Sequence, residues 1–229
     1  MPFAAVTFDV YSALYDARTG LARTVEAFFR SRGISGNAQD VARIWREKQR
    51  SFLQLVNSLD REPASNRRAI EASARYALRH VRPALSEEEI RELTSGWEGL
   101  PPWPEAAGVL QEVRRRPLIL GTLSNGDASM LSALLTNLPV RFDHIISTEG
   151  GRFKPHPSAY RKALEILGVA AGDLLHVAGS GTDAVGATAA GIQTIWINRM
   201  NDEVDDLRFA PAHQAPDLRG VIDVLDAPR

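Results

Sequence analysis

Cysteine is absent from this chain of 229 residues, and so are a charge excess and any long apolar run. The lack of cysteine excludes disulfides, thiolate metal ligands and cysteine nucleophiles. The 27 Lys and Arg nearly balance the 28 Asp and Glu, which gives a formal net charge of −1. Because contacts to phosphate backbones need a basic excess, we expect no nucleic-acid partner. No run reaches the ~18 apolar residues that a membrane span needs, so we expect no membrane partner.

The amino-terminal segment lacks a basic region, and its first apolar stretch meets an acid at Asp9. This pattern is not that of a secretory signal peptide. The composition, with 44% hydrophobic and 24% charged residues, is typical of a globular protein that can bury a sizeable core. We therefore expect a cytoplasmic enzyme or binding protein.

Short apolar runs alternate with helical patterns along most of the chain. Such alternation predicts βαβ units, and hence an α/β fold with a doubly wound, Rossmann-like parallel sheet. The predicted strands are residues 4–8, 117–123, 142–147, 174–178 and 194–197, and the helices between them are 104–116, 127–137, 157–167 and 183–190.

A block of helical patterns interrupts this alternation after the first strand. Apolar residues there recur at helical spacing, as at Leu21, Val25 and Phe28, and Ser86 followed by Glu89 matches a capping box. We predict that residues 1–17 and 100–229 form the α/β core and that residues 18–99 form an inserted helical cap domain.

Polar side chains follow four of the predicted strands, at the edge where open parallel sheets bind ligands. They are Asp9 after the first strand, Ser124 and Asn125 after the second, Lys154 after the third, and Ser180 and Asp183 after the fourth. Each of them alone also fits a helix cap, a turn or a solvated loop. Together they suit nucleophilic catalysis by a carboxylate on an anionic substrate.

These residues resemble the four motifs of the haloacid dehalogenase superfamily. FDVYSALYD resembles the first motif and LSNG the second, while Lys154 and the glycine-rich stretch ending at Asp183 match the third and fourth. The resemblance implies a Rossmann-like core with an inserted cap, and it implies that Asp9 is the nucleophile with Lys154 and Asp183 as the other catalytic residues.

Further segments are similar to the L-2-haloacid dehalogenase (type II) branch, which works without a metal or another cofactor. Tyr11 stands where magnesium-dependent phosphatases of the superfamily carry a second Asp as acid/base. WREKQ resembles a helix of the branch whose Arg binds the substrate carboxylate and the halide, which implies that role for Arg46. The Lys-Pro element followed by Tyr160 and the WINR sequence at 196–199 also match.

Six positions depart from the pattern of that branch. Ser12 and Ala13 stand in place of a Gly and a Thr, and the Thr hydroxyl steadies the nucleophile in that branch. Ala178 and Ser180 replace a Ser and an Asn. Glu47 and Arg50 stand near Arg46, where the branch has an apolar pocket.

The resemblance predicts a hydrolase that removes halide from a small 2-haloacid through an ester on the aspartate nucleophile. The predicted substrate-binding residues are Tyr11, Arg46, Ser124, Asn125, Tyr160 and Ser180, and no metal or cofactor is predicted. Two alternatives stay open: a magnesium-dependent, phosphatase-like hydrolase, and a catalytically weak member that binds anions. A homodimer also stays open, because the cap helices are rich in Leu, Phe and Val.

Overall fold

Six parallel strands form the central sheet of the computed structural model, which describes residues 3–59, 65–204 and 206–228. In chain order they are β1 (Ala5–Phe8), β2 (Ile119–Ser124), β3 (His144–Ser147), β4 (Leu174–Ala178), β5 (Gln193–Ile197) and β6 (His213–Ala215). Their order across the sheet is β3-β2-β1-β4-β5-β6. The predicted parallel α/β fold is confirmed, and β6 is an addition to the five predicted strands.

Helices follow or precede each of these strands. Those between β1 and β2 are α1 (Ala17–Arg32), α2 (Ala38–Leu59), α3 (Asn66–Leu78), α4 (Glu87–Ser95) and α5 (Ala106–Arg114). The others are α6 (Ala128–Leu135), α7 (Pro157–Leu167), α8 (Gly181–Ala189) and α9 (Gly220–Asp226), of which α9 lies beyond the predicted helices. The predicted capping box is confirmed at the start of α4. No helix in the described ranges is long and apolar enough to cross a membrane.

Successive residues of the inner strands pack on opposite faces of the sheet. Leu174 lies in an apolar cluster with residues of α7 and α8, whereas Leu175 lies in a cluster with residues of α5, α6 and α9. This alternation follows from the two-residue period of a strand. Helices therefore cover both faces, and every residue of β1 is buried.

The segment that contains α1 to α4 joins the sheet through two adjacent stretches of backbone. Asp16 N donates to Pro101 O at 2.9 Å, and Trp103 N donates to Leu14 O at 3.0 Å. Buried apolar residues run continuously from the sheet into these helices. The division into a core and a separate cap domain at residues 18–99 stays a prediction.

β1 lies in the middle of the sheet, with β2 on one side and β4 on the other. The sheet grows from β1 through β2 to β3, and then in the opposite direction from β4 to β6. The carboxyl end of such a reversal opens a crevice where α/β sheets bind ligands. Asp9 directly follows β1 and Asp183 lies in α8 after β4, so both flank this crevice.

Candidate active site

Asp9 lies at the start of a single π-helical turn formed by Val10–Leu14. The backbone N–H groups of Ser12 and Ala13 donate to Asp9 Oδ2 at 3.1 and 3.4 Å. The Ser12 hydroxyl donates to the same oxygen at 2.8 Å. The first N–H groups of a helical turn have no partner inside the turn, so they are free to hold an anion. Ser12 thus supplies the hydroxyl that Ala13 lacks.

Lys154 joins the carboxylates of Asp9 and Asp183. Its ammonium donates to Asp9 Oδ1 at 3.1 Å, to Asp183 Oδ2 at 2.7 Å and to Leu123 O at 2.7 Å, which uses all three protons. Burial disfavours the charged ammonium, but the two carboxylates outweigh it and raise the pKa of Lys154. Burial likewise opposes ionisation of Asp9, yet Lys154 and the Ser12 hydroxyl hold the pKa of Asp9 below its usual value. Asp9 is therefore a carboxylate at neutral pH.

Asp183 is enclosed by donors. Besides Lys154, it accepts from the Tyr160 hydroxyl at 2.9 Å on Oδ1, and His176 Nε2 lies 3.1 Å from Oδ2. His176 Nδ1 lies 2.9 Å from the hydroxyl of Thr7, so the ring is held between Asp183 and Thr7. Although burial opposes it, the field of Lys154 and His176 holds the pKa of Asp183 well below its usual range. Asp183 is a fixed anion here.

Arg46 reaches the crevice from α2. Its Nη1 donates to Gln49 Oε1 at 2.9 Å, and its guanidinium carbon lies 5.2 Å from the ring centroid of Trp97 and 6.0 Å from that of Tyr11. Burial of the guanidinium and the nearby charge of Arg50 lower the pKa of Arg46 to about 9, which leaves it charged at neutral pH. Arg46 therefore presents a positive charge opposite Asp9.

Tyr11 forms part of the wall between these two charges. Its ring packs edge-on against Trp97, with the ring centroids 5.6 Å apart. Its hydroxyl is buried beside the side-chain amide of Asn66. Burial raises the pKa of Tyr11, so the hydroxyl keeps its proton and can donate it in a hydrogen bond.

A cavity of about 100 Å³ lies between the strand ends and α2. Its lining includes seven of the nine predicted site residues: Asp9, Tyr11, Arg46, Asn125, Lys154, Ser180 and Asp183. The other two are buried behind it. Ser124 Oγ donates to Asp9 Oδ1 at 3.3 Å, and Tyr160 donates to Asp183, so both act on the carboxylates that face the cavity.

Asn125 and Ser180 line the cavity but also hold the backbone around it. Asn125 Nδ2 donates to Lys154 O at 3.0 Å, and Lys154 N donates to Asn125 Oδ1 at 2.7 Å. One N–H of the Asn125 amide remains for another acceptor. Ser180 caps α8 and accepts from Asp183 N at 3.4 Å.

A chain of hydrogen bonds that the sequence did not indicate fixes Arg46. Asn66 N donates to Asp127 Oδ1 at 2.6 Å, in the loop after β2. Asn66 Oδ1 accepts from Gln49 Nε2, and Gln49 Oε1 accepts from Arg46. Gln49 and Asn66 are buried, so these partners satisfy groups that water cannot reach. The position of Arg46 is thereby tied to the sheet.

Gly179 lets the loop after β4 approach the turn that holds Asp9. A Cβ at this position would lie 2.2 Å from Ala13 N and 2.4 Å from the carbonyl carbon of Ser12. Any side chain at position 179 would therefore displace that backbone. In the described part of the chain, no group of three or more His, Asp or Glu side chains could hold a metal ion.

Comparison with known proteins decides the family. The family model described as "Hydrolase: haloacid dehalogenase-like hydrolase" matches residues 3–191. The chain belongs to this family. Haloacetate dehalogenase H-2 of Moraxella sp. (strain B) is 30% identical over 224 residues, which cover 96% of this chain and 97% of that protein.

Solved structures of haloacid dehalogenase-like hydrolases superpose over nearly the whole chain. An L-2-haloacid dehalogenase, RSc1362, has a TM-score of 0.89 and 29% identity, covering 99% of this chain and all of the other. The L-2-haloacid dehalogenase of Xanthobacter autotrophicus with chloropropionic acid covalently bound has a TM-score of 0.87 at 25% identity, with coverage of 99% and 100%.

Proposed function

We propose that this chain is a hydrolase of carbon–halide bonds that converts small 2-haloacids to 2-hydroxy acids through an ester on Asp9. The observation that carries the proposal is the position of the Asp9 carboxylate. It is held ionised by Lys154 and the turn at Ser12, and it borders a cavity whose opposite wall presents Arg46. An anionic substrate can bind Arg46 and bring its C2 carbon to Asp9.

The first step is a displacement at C2. An oxygen of Asp9 attacks this carbon, the carbon–halogen bond breaks, and halide leaves with the bonding electrons. Arg46 binds the substrate carboxylate, and its positive charge also favours the departing halide. The Tyr11 hydroxyl and the remaining N–H of Asn125 are among the neutral donors at the cavity wall.

The second step is hydrolysis of the ester. Water adds to the Asp9 carboxyl carbon. As the tetrahedral adduct collapses, one proton of that water passes to the departing alkoxide oxygen and the other is released to solvent, which leaves ionised Asp9 and a 2-hydroxy acid whose new oxygen came from Asp9. Lys154 and the N–H groups of Ser12 and Ala13 already donate to both carboxyl oxygens, so they stabilise the negative charge of that adduct. Asp183 keeps Lys154 in place; with its strongly lowered pKa it is a weak base.

The phosphatase-like alternative needs groups that this site lacks. Tyr11 replaces the second acid, and its raised pKa and buried ring suit it to donate a hydrogen bond only. A further acid at position 179 would collide with Ala13 N. The two carboxylates that remain, Asp9 and Asp183, already share one ammonium.

A comparison of halide and phosphate release tests the proposal. The purified chain is incubated with 2-chloropropionate, chloroacetate and 2-chlorobutyrate, each with and without EDTA, and chloride is measured with an ion-selective electrode. We expect chloride release that survives EDTA. Asp9→Asn should keep its fold and lose at least ~10³-fold in rate, about 4 kcal/mol of barrier.

Two other outcomes would contradict the proposal. Phosphate release from p-nitrophenyl phosphate that needs Mg²⁺, without chloride release from any haloacid, would favour the phosphatase-like hydrolase. Binding of 2-haloacids without turnover of either substrate class would favour the anion-binding alternative.

A further inference from the structure

The wall of the cavity on α2 carries two arginines. Arg46, Gln49, Arg50, Leu53 and Gln54 all line the cavity, at spacings of three and four residues that place them on one helix face. Gln49 is buried and its side chain is committed to Arg46 and Asn66. Leu53 is the only apolar residue of the five, and the other four carry polar or charged ends.

Arg50 has no anionic partner among the residues that the structure describes. Within residues 3–59, 65–204 and 206–228, its side chain forms no ion pair or hydrogen bond, whereas Arg43 on the same helix pairs with Glu47 at 2.8 Å. Arg50 is exposed but close enough to Arg46 for its charge to act on that guanidinium. An alkyl substituent bound beside Arg50 would remove water from this cation without supplying a hydrogen-bond acceptor or a negative charge.

The cavity lining carries a net positive charge before substrate binds. Among the described residues it holds three cations, Lys154, Arg46 and Arg50, against two anions, Asp9 and Asp183. Lys154 pairs with both carboxylates, so Arg46 and Arg50 are the cations that a substrate can meet. The first carboxylate of a substrate balances the total charge, and a second one would pair locally with Arg50 and reduce its repulsion with Arg46.

We propose that Arg50 binds a second anionic group, and that the preferred substrates of the dehalogenation proposed above are 2-halodicarboxylates such as 2-chlorosuccinate. Residues four apart on a helix present side chains with Cβ atoms about 5–6 Å apart. The two carboxyl carbons of a succinate, separated by three C–C bonds, span about 4 Å. One carboxylate can therefore meet Arg46 while the other meets Arg50.

The test compares two substrates with four carbons each. Chloride release from 2-chlorosuccinate and 2-chlorobutyrate is measured for the wild type, Arg50→Gln, Arg50→Lys and Arg43→Gln, all in low-salt buffer. We expect the wild type to have at least a tenfold higher kcat/KM for 2-chlorosuccinate. Arg50→Gln should lower this preference about tenfold, mainly through KM, because a charge-assisted contact at a partly exposed site is lost.

The controls separate a local contact from general effects. Arg50→Lys should keep part of the preference because it keeps the charge, and Arg43→Gln should keep all of it because Arg43 does not line the cavity. A preference that Arg50→Gln leaves unchanged would overturn the inference. So would a wild type that prefers 2-chlorobutyrate, which would mean that the stem of Arg50 and Leu53 bind an alkyl chain.

Failure of this inference differs from failure of the proposed function. Chloride release from 2-chloropropionate without release from 2-chlorosuccinate overturns only the role of Arg50. No chloride from any haloacid overturns the dehalogenation itself, and the role of Arg50 with it.

Discussion

The Ser12 hydroxyl supplies the hydrogen bond that a Thr hydroxyl at position 13 would donate, where this chain has Ala13. It donates to Asp9 Oδ2 at 2.8 Å and helps to keep Asp9 ionised. Ser12→Ala should therefore raise the pKa of Asp9 and lower kcat/KM about tenfold at neutral pH, since a hydrogen bond to a charged group is lost. Because the proposed nucleophile Asp9 attacks in its ionised form, the acidic limb of the kcat/KM profile should move to higher pH.

The profile of chloride release between pH 3 and 8 measures that shift. The double variant Ser12→Ala with Ala13→Thr has a hydroxyl at the adjacent residue. Its acidic limb should therefore move back toward the wild-type position. An acidic limb that stays in place in Ser12→Ala would show that the backbone N–H groups and Lys154 hold Asp9 without the hydroxyl.

Arg46 is the predicted ligand of the substrate carboxylate. Removing its bidentate contact should cost ~1.5–3 kcal/mol, so Arg46→Ala should lower kcat/KM for the acid by roughly 10- to 150-fold. Arg46→Lys should keep only part of the wild-type kcat/KM, because one ammonium cannot form the two parallel hydrogen bonds of a planar guanidinium. The test measures kcat/KM for a 2-haloacid and for its amide with the wild type and with Arg46→Ala. An acid-to-amide preference that survives in Arg46→Ala would remove Arg46 from carboxylate binding.

Some residues of the candidate site could be predicted from the sequence, and others could not. Asp9, Lys154 and Asp183 follow strands of one parallel sheet, so the strand-end rule alone brings them together. His176 lies inside β4, and its polar ring in an otherwise apolar strand was the available signal. Ser12 carried no such signal, because its hydroxyl acts only through the π-helical turn, which composition does not predict.

At the scale of elements, α2 is positioned by contacts with α3 and the loop after β2. Asn66 links Asp127 to Gln49, and through it to Arg46. Asn66→Ala should raise KM for 2-haloacids several-fold with a smaller change in kcat, because Arg46 loses its support. The variant should also lose about 1–3 kcal/mol of stability, since Gln49 is left with an unpaired buried amide.

A stability-matched control tests whether this effect is local. Ser86→Ala removes the cap of α4, which is not part of the cavity lining, and should cost about 1 kcal/mol. Its KM should stay at the wild-type value. Equal KM changes in both variants would mean that lower stability, and not the link to Arg46, raises KM.

Helices and strands could be predicted from the sequence where a long periodic pattern of apolar residues marks them. The five longer strands and the helices between them follow from alternation and apolar spacing. β6 is three residues long and carries no apolar run; it forms because it continues the parallel ladder on β5. Sequence spacing alone does not place the start of α3, since its cap Ser65 is held by Asp127, which is far away in sequence.

For the whole molecule, the buried charges near the crevice make stability depend on pH. The pKa of Asp183 is lowered from 3.8 in the folded chain, so its ionised form stabilises the fold above pH 3.8, and this contribution is lost as pH falls further. Asp183→Asn should be less stable at pH 7 by roughly 3–5 kcal/mol, because Lys154 keeps fewer partners. The difference from wild type should shrink between pH 4 and pH 2.

Urea unfolding at several pH values measures this difference directly. Exposed carboxylates elsewhere in the chain also destabilise the fold when they are protonated, but they do so equally in the wild type and in Asp183→Asn. A difference that stays constant from pH 7 to pH 2 would show that Asp183 is not the strongly ionised partner of Lys154 that the geometry indicates.

The central claim is that Asp9 becomes an ester and that water then attacks its carboxyl carbon. Its most direct test is a single turnover in H₂¹⁸O with enzyme in excess over a 2-haloacid. The account predicts a 2-hydroxy acid without the label and a mass gain of ¹⁸O on the peptide that contains Asp9. Label in the first-turnover product, with none on Asp9, would contradict it, because water would then have attacked the substrate carbon directly.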